Sequence, residues 1–297
     1  MVSLMKKSFS ENIFDVALVI ILFFFAVSVL YPIWYSFLFS VEGFSGTATG
    51  IVKWFVPRQI SMWAYWVIFR EETIYRALFV TTARTLLGTL CSVFFTAMFG
   101  YALSRRKLYF KRFYRMVGVI TMYFGGGLIP FYLTLSALGL LNTFQMYIII
   151  NLLSMFNTIL FITFFSELPD ALEESAYIDG ANDFLIFVRI AIPLSTPVIA
   201  TVALFNGVAH WNSWFDAAYF VNDTKLQTLQ SVLWRLISES RAMEALNRYT
   251  TGVRRTQSQV DAMKFATMMI SIIPITLAYP FLQRYFVKGM MIGSIKA

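Results

Sequence analysis

Glu167-Leu168-Pro169-Asp170-Ala171-Leu172-Glu173-Glu174-Ser175-Ala176-Tyr177-Ile178-Asp179-Gly180-Ala181-Asn182-Asp183, running on through Phe184-Leu185-Ile186-Phe187-Val188-Arg189-Ile190-Ala191-Ile192-Pro193, is a polar, acidic stretch between two long apolar blocks. Pro169 suits the start of a helix, where its missing N–H would be unpaired anyway, and Asp170, Glu173 and Glu174 suit the positive end of the helix dipole. Gly180 ends that helix. Leu168, Leu172, Ser175, Ala176 and Asp179 fall on or near one stripe, which predicts a short helix with an apolar side and an acidic side. A second short helix is predicted from Asn182 or Asp183 to Ile192, with Pro193 forcing a change of direction.

The blocks on either side are too apolar for a soluble protein. The chain is 58% hydrophobic and 13% charged, with a mean hydropathy of +0.67, whereas soluble domains carry roughly a quarter charged residues. The composition predicts an all-α integral membrane protein. Cys91 is the one cysteine, so no intrachain disulfide forms, and with one histidine there is no credible metal cluster. The net charge of +8 fits anchoring in an anionic bilayer, with membrane lipid as a partner and nucleic acid excluded.

Crossing a hydrocarbon core takes about 20 helical residues, and hydropathy places six such spans, about 16–39, 74–103, 113–138, 144–165, 194–220 and 265–285. The first follows Lys6 and Lys7, and its bulky end, Tyr31-Pro32-Ile33-Trp34-Tyr35, argues for a retained span rather than a cleaved leader. Residues 41–72 read as a loop with Trp54, Trp63, Tyr65 and Trp66 at an interface. Arg105, Arg106, Lys107, Lys111, Arg112 and Arg115, with no acidic residue among them, place the next loop in the cytoplasm by the positive-inside rule. Both termini are then cytoplasmic, 167–193 is a cytoplasmic loop between the fourth and fifth spans, and 221–262 is an outer loop with an amphipathic helix over Thr228 to Leu246. The whole chain, 1–297, reads as one transmembrane domain.

Several residues within the spans stand out. Arg84 either faces the bundle interior or snorkels to the headgroups. Gly125-Gly126-Gly127-Leu128-Ile129-Pro130 should break or distort the third span, at a solute route or at a close helix neighbour. Asn151 and Asn157 either bond across helices or face a polar cavity. His210, Trp211, Asn212, Trp214 and Asp216 crowd into two turns of the fifth span, a wheel placing His210, Ser213 and Trp214 on one arc and Asn212 and Asp216 on the next. That crowding suits a wet cavity mouth or an interfacial aromatic belt.

Glu174-Ser175-Ala176, three residues, Gly180, nine residues, Ile190, one residue, then Ile192-Pro193 resembles the EAA signature of the membrane subunits of bacterial ATP-binding-cassette importers, with Ser175 in place of the first Ala. The resemblance extends to Gly125 to Leu133, to Leu138-Gly139-Leu140-Leu141-Asn142-Thr143, to Phe205 to Trp214, and to Gln283-Arg284-Tyr285-Phe286-Val287-Lys288-Gly289. These look like the carbohydrate-uptake branch, similar to the smaller maltose-importer permease and nearer to permeases for complex oligosaccharides. The resemblance implies a non-enzymatic permease of the bacterial cytoplasmic membrane that works by alternating access. Its implied partners are a second homologous permease, a cytoplasmic ATPase dimer that holds ATP and Mg, and an extracellular or periplasmic sugar-binding protein or lipoprotein. Glu173, Glu174, Ser175, Ala176, Asp179, Gly180, Ile190 and Pro193 would then couple to the ATPase through a coupling helix. Tyr132, Asn157, His210, Trp211, Asn212, Trp214 and Asp216 are the candidates for the substrate path. No Gly-Lys-Ser or Gly-Lys-Thr occurs, so this chain brings no Walker A loop and no cofactor of its own. The rivals are a polytopic membrane enzyme acting on glycans or lipids, which should show paired carboxylates or a metal cluster at one membrane face, and an ATP-independent carrier, which often shows two similar halves.

Overall fold

The computed structural model describes residues 9–42, 60–247, 261–277 and 280. Trp54, Lys6, Lys7, Arg248, Arg254, Arg255 and the Gln283 to Gly289 stretch lie outside them, as does the end of the expected sixth span. Among the described residues the regular elements are all helices, joined by turns and irregular segments, with one isolated bridge between Glu42 and Ile60.

The chain divides into two compact units. The first comprises residues 1–70 and 236–270. It holds α1 (Phe9–Val41), which runs unbroken through Pro32, and α2 (Trp63–Ile68). The helix α2 contains Trp63, Tyr65 and Trp66, in what hydropathy leaves as loop. Ser61 N–H donates to Val41 O at 2.7 Å and the Ser40 and Tyr65 hydroxyls pair at 2.7 Å, so the end of α1 and α2 are stitched together. Tyr35 and Phe39 pack their rings on Phe265, at 6.3 and 5.1 Å between centroids.

The second unit comprises residues 71–235 and 271–297, and its axis is α3 (Glu72–Ser104). Around α3 lie α4 (Lys111–Tyr123), α5 (Leu128–Ala137), α6 (Phe144–Ile149) and α7 (Met155–Ser166), then α8 (Asp170–Ile178) and α9 (Asp183–Ile186). A π turn (Phe187–Ala191), α10 (Ile192–Leu194), α11 (Thr196–Asn212) and α12 (Phe215–Phe220) come next, and α13 (Leu229–Asn247) begins in this unit. The face of α3 that meets α7 and α11 is small and polar: Thr81, Gly88, Ser92, Thr96, Ala97 and Gly100 are all buried. Small residues let helix backbones approach closely. A Cβ on Gly100 would stand 2.6 Å from Phe161 Cβ and 3.3 Å from Thr158 O on α7. Gly100→Ala is therefore expected to cost about 1–3 kcal/mol by overpacking, read as a lowered thermal midpoint of the detergent-solubilised protein. An unchanged midpoint would show that α3 and α7 have room to part.

The turn over Gly139 to Thr143 and the start of the expected outer loop are ordered by polar side chains. Gly139 and Asn142 both take positive φ, 67° and 57°, in the left-handed region that Gly and Asn enter at least cost. Asn142 Oδ1 accepts from Asn222 N–H at 2.5 Å, and Thr143 caps α6 through Met146 N–H at 3.3 Å. Tyr147 donates to Leu226 O at 2.8 Å, and Leu229 N–H donates to Thr81 Oγ1 at 2.8 Å. The start of the 221–262 segment is thus seated on α3 and α6, and α13 is a helix over nearly the residues expected to form one there.

Three expected spans are not single helices. The third is α4 and α5 bent by 118° at residues 124–127, where Gly127 has φ 82°. The fourth is α6 and α7 separated at Ile150 to Ser154, because Ser154 caps a new helix by accepting from Asn157 N–H at 3.4 Å. The fifth stops at Asn212, since Ser213 is extended at ψ 121°, and resumes as α12. Among the described residues, α1 and α3 are long and apolar enough to cross a membrane alone, and up to four spans result if each bent pair is one. Pro193 does not turn the chain either. It sits inside α10, and the 86° bend comes after Leu194, at Ser195. The wider π turn ahead of it carries the Ile192 N–H to Phe187 O, so the carbonyl that would clash with the proline ring in an α-helix is displaced.

Candidate functional site: an acidic helix and a polar cleft

The helix α8 agrees closely with the sequence reading. Pro169 stands one residue earlier than expected, as the cap, and Asp170 and Glu173 fill the first turn. Gly180, at φ 80°, closes the helix: its N–H reaches Tyr177 O at 3.0 Å while Ala181 N–H reaches Ala176 O at 2.9 Å. This paired closure is the Schellman arrangement, which favours glycine at its left-handed position. Asn182 then caps α9 through Leu185 N–H at 2.8 Å.

The eight signature residues divide between two faces. Ala176 is buried against a core of Tyr101, Phe161, Phe165, Ile186 and Phe187. Glu173 and Ile190 are half-buried. Glu174, Ser175, Asp179, Gly180 and Pro193 are exposed, as is Ile178, at 87%. Charge and an exposed apolar side chain on one short helix suit a protein cleft better than bulk water.

The inner face of α8 meets the basic turn after α3. Arg105 forms an ion pair with Glu173, Arg106 Nη1 lies 3.5 Å from Asp170 Oδ2, and Lys107 Nζ lies 4.9 Å from the Tyr177 ring centre. Tyr177 in turn donates to Asp183, and that bond, with burial and the carboxylate charge, holds its phenol above the usual range. Lys111 and Arg115 donate to the α3 carbonyls of Ser104 and Leu103, at 2.9 and 2.8 Å. The positive-inside rule treats these cations as an address; in the folded chain five of them also cap a helix or hold another one.

The second candidate feature is a cleft of about 600 Å³ beside α6, α7 and α11, with Asn151, Ser154, Asn157, Asn206, His210 and Ser213 as its polar lining and Phe156 and Phe205 among its apolar walls. Asn157 Nδ2 reaches Asn206 Oδ1 at 3.5 Å. His210 is buried with neither ring nitrogen hydrogen-bonded, and Asn206 Nδ2 is also unpaired. Buried polar groups without partners are uncommon and call for an explanation. Gly88 makes room for the imidazole, since a Cβ there would lie 2.5 Å from His210 Cε1.

Of the residues expected on the substrate path, Asn157 and His210 line this cleft and the others do not. Because α11 ends at Asn212, the helical wheel drawn through 216 does not apply. Trp211 is buried and donates to Ser271 O at 2.9 Å. Trp214 stacks on Trp234 at 5.1 Å between centroids and 13° between planes, and Asn212 is exposed, within 3.4 Å of Gln230. Tyr132 is 41% exposed, its ring 6.3 Å from that of Phe220. Asp216 is buried and holds Arg84 in a two-point ion pair at 3.0 and 2.6 Å, with Ser213 Oγ and Ala217 N–H also donating to it at 2.9 Å. Arg84 therefore faces the interior; it does not snorkel. Its guanidinium lies 4.4 Å from the Tyr147 ring centre. Asn206 is a lining residue that sequence reasoning does not assign to the path; its spacing of four from His210 is the available signal.

Residues 88–292 match the family described as binding-protein-dependent transport system inner membrane component. The polygalacturonan/rhamnogalacturonan transport system permease protein YtcP of Bacillus subtilis is 37% identical over 242 residues, covering 81% of this chain and 84% of that one. Protein LplC of the same organism is 37% identical over 263 residues, 88% of each. In structure, the chain superimposes on one from a bacterial ABC transporter involved in the import of the acidic polysaccharide alginate, with a TM-score of 0.83 and 29% identity, over 95% of this chain and 99% of that one. A family match over more than half of the chain, and two relatives that align along most of it, establish what the helices and the EAA spacing indicate: the chain belongs to the inner membrane components of binding-protein-dependent ABC transport systems, and is a transport subunit rather than an enzyme.

Proposed function

We propose that this chain, acting as one permease domain over its whole length, pairs with a second, homologous permease to carry an oligosaccharide inward. The sugar is handed over by an extracellular binding protein, and ATP and Mg are held by a cytoplasmic ATPase dimer. Six crossings with both termini inside remain the arrangement that the charge pattern favours. In it, α8 is the coupling helix and lies in the cytoplasm with the basic turn. The observation that carries the reading is α8 itself: a short capped helix whose inner face is fixed to its own chain and whose outer face, Glu174, Ile178 and Asp179, is left exposed. Closure of the ATPase dimer around that face would transmit rigid-body motion to α3 and α7.

The carbohydrate substrate is supported by the relatives' names and by the chemistry of the cleft, whose amides, hydroxyls and unpaired imidazole match sugar hydroxyls. The test is reconstitution with the ATPase, the sister permease and the loaded binding protein, where ATP hydrolysis should rise and sugar should accumulate. In that system Asn206→Ala and His210→Phe are expected to raise the half-saturating sugar concentration or change sugar preference by about 5- to 30-fold, one or two lost hydrogen bonds. Identical sugar dependence in both variants would remove the cleft from the path.

A further inference from the structure

We infer that Arg105 is the positioning residue that fastens α8 to the end of α3, so that helix and turn travel as one piece during the transport stroke. The inference rests on the reading of α8 as the coupling helix. Arg105 is the first residue beyond α3 and leaves it in extended conformation, at ψ 140°. Its guanidinium gathers three elements. Nε donates to Ser104 Oγ at 2.9 Å, Nη2 donates to Phe165 O at the end of α7 at 2.8 Å, and Nη1 pairs with Glu173 of α8. Tyr101 completes the contact: its ring centre lies 4.5 Å from the guanidinium carbon and its hydroxyl donates to the same Glu173 oxygen at 3.3 Å.

The two charged side chains are only 18% and 15% exposed, so salt and water weaken this pair far less than a surface pair. The forked guanidinium matters because a lysine ammonium is a single point that cannot hold acceptors on α3, α7 and α8 together. The three consecutive cations Arg105, Arg106 and Lys107 meet Glu173, Asp170 and Tyr177, positions that recur at helical spacing on one side of α8. Glu174 stands at the margin of that row, about 160° around the helix from the buried Ala176 where Glu173 is about 60° from it, and is exposed. The adjacent glutamates thus have different tasks: Glu173 belongs to the anchor within the chain and Glu174 to the surface offered to the partner. A nine-residue helix is marginal by itself. With Ala176 as its one buried side chain, it needs such an anchor to transmit force without tilting.

The experiment measures sugar taken up per ATP hydrolysed by the reconstituted importer. Arg105→Ala is expected to lower that ratio about tenfold, within the usual range of coupling between sites, and Arg105→Lys to fall between it and the parent. A parental ratio in Arg105→Ala overturns the inference. Should Arg105→Ala fail to assemble, a second arm decides: in a Cys91→Ser background, Arg106→Cys and Asp170→Cys are joined by a short bismaleimide, and transport is compared before and after joining. Unchanged transport supports a single moving piece, and its arrest shows that turn and helix separate during the cycle, which overturns the inference. Glu174→Lys separates the two readings. Normal uptake in that variant removes the coupling role of α8, whereas its loss beside a parental Arg105→Ala removes the anchor alone.

Discussion

Glu174→Lys combined with Gly180→Trp is expected to abolish ATP-driven uptake while leaving insertion into the membrane intact. Glu174 is exposed on the outer face of α8, so reversing its charge disturbs no internal contact of the chain. Gly180 has φ 80° and nothing within 4 Å of a built Cβ. A side chain there costs about 1 kcal/mol in backbone strain, an amount that a folded domain tolerates, and the added bulk projects outward. Both changes therefore act on whatever docks against the helix. Membrane-fraction yield and uptake, measured on the same cells, separate insertion from transport. Parental uptake by the double variant would end the assignment of this helix to coupling.

Arg84→Ala carries the largest expected cost in stability. The pair with Asp216 is sheltered, at 0% and 6% side-chain exposure, and joins α3 to the start of α12. Removing one partner of a buried pair strands the other charge and typically costs about 3–5 kcal/mol. The variant should lose most of its folded yield in detergent, and Asp216→Ala should do the same. Joint replacement by apolar residues of similar size, Arg84→Met with Asp216→Leu, should recover much of the loss, because the desolvation of both charges disappears together. If the joint variant is as poor as the single ones, the pair has a role beyond mutual neutralisation.

The parts legible in the sequence are those whose causes are local. Caps, dipole and glycine specify α8 within a dozen residues, and its boundaries lie within one residue of expectation. Hydropathy places the apolar stretches but not the breaks inside them, since Ser154 capping α7 and Ser213 ending α11 change backbone direction without changing apolar content. A wheel drawn through Ser213 assumes a helix that is not there, which is why Trp214 and Asp216 do not share the cleft with His210; Trp211 and Asn212, still on α11, are turned about 100° and 200° from it. The partner of Arg84 lies 132 positions away, beyond the reach of any periodicity. In the sequence Arg105 is only a cytoplasmic address, because nothing in a charge count says which carboxylate a cation will meet.

The π turn at Phe187–Ala191 has a consequence for chain length. Such a turn is an α-helix holding one residue too many, usually kept where removing it would misdirect the next segment of chain. Deleting one residue of the π turn would let the ladder close into regular α-helix and rotate the remainder by about 100°, the angle per residue. Ile190 and Ala191 would leave the pocket that receives them, and Pro193 would meet an undisplaced carbonyl. The nine-residue interval in the signature is on this view metered by the chain's own backbone. Insertions and deletions there should be purged even when every side chain of the interval is free to vary.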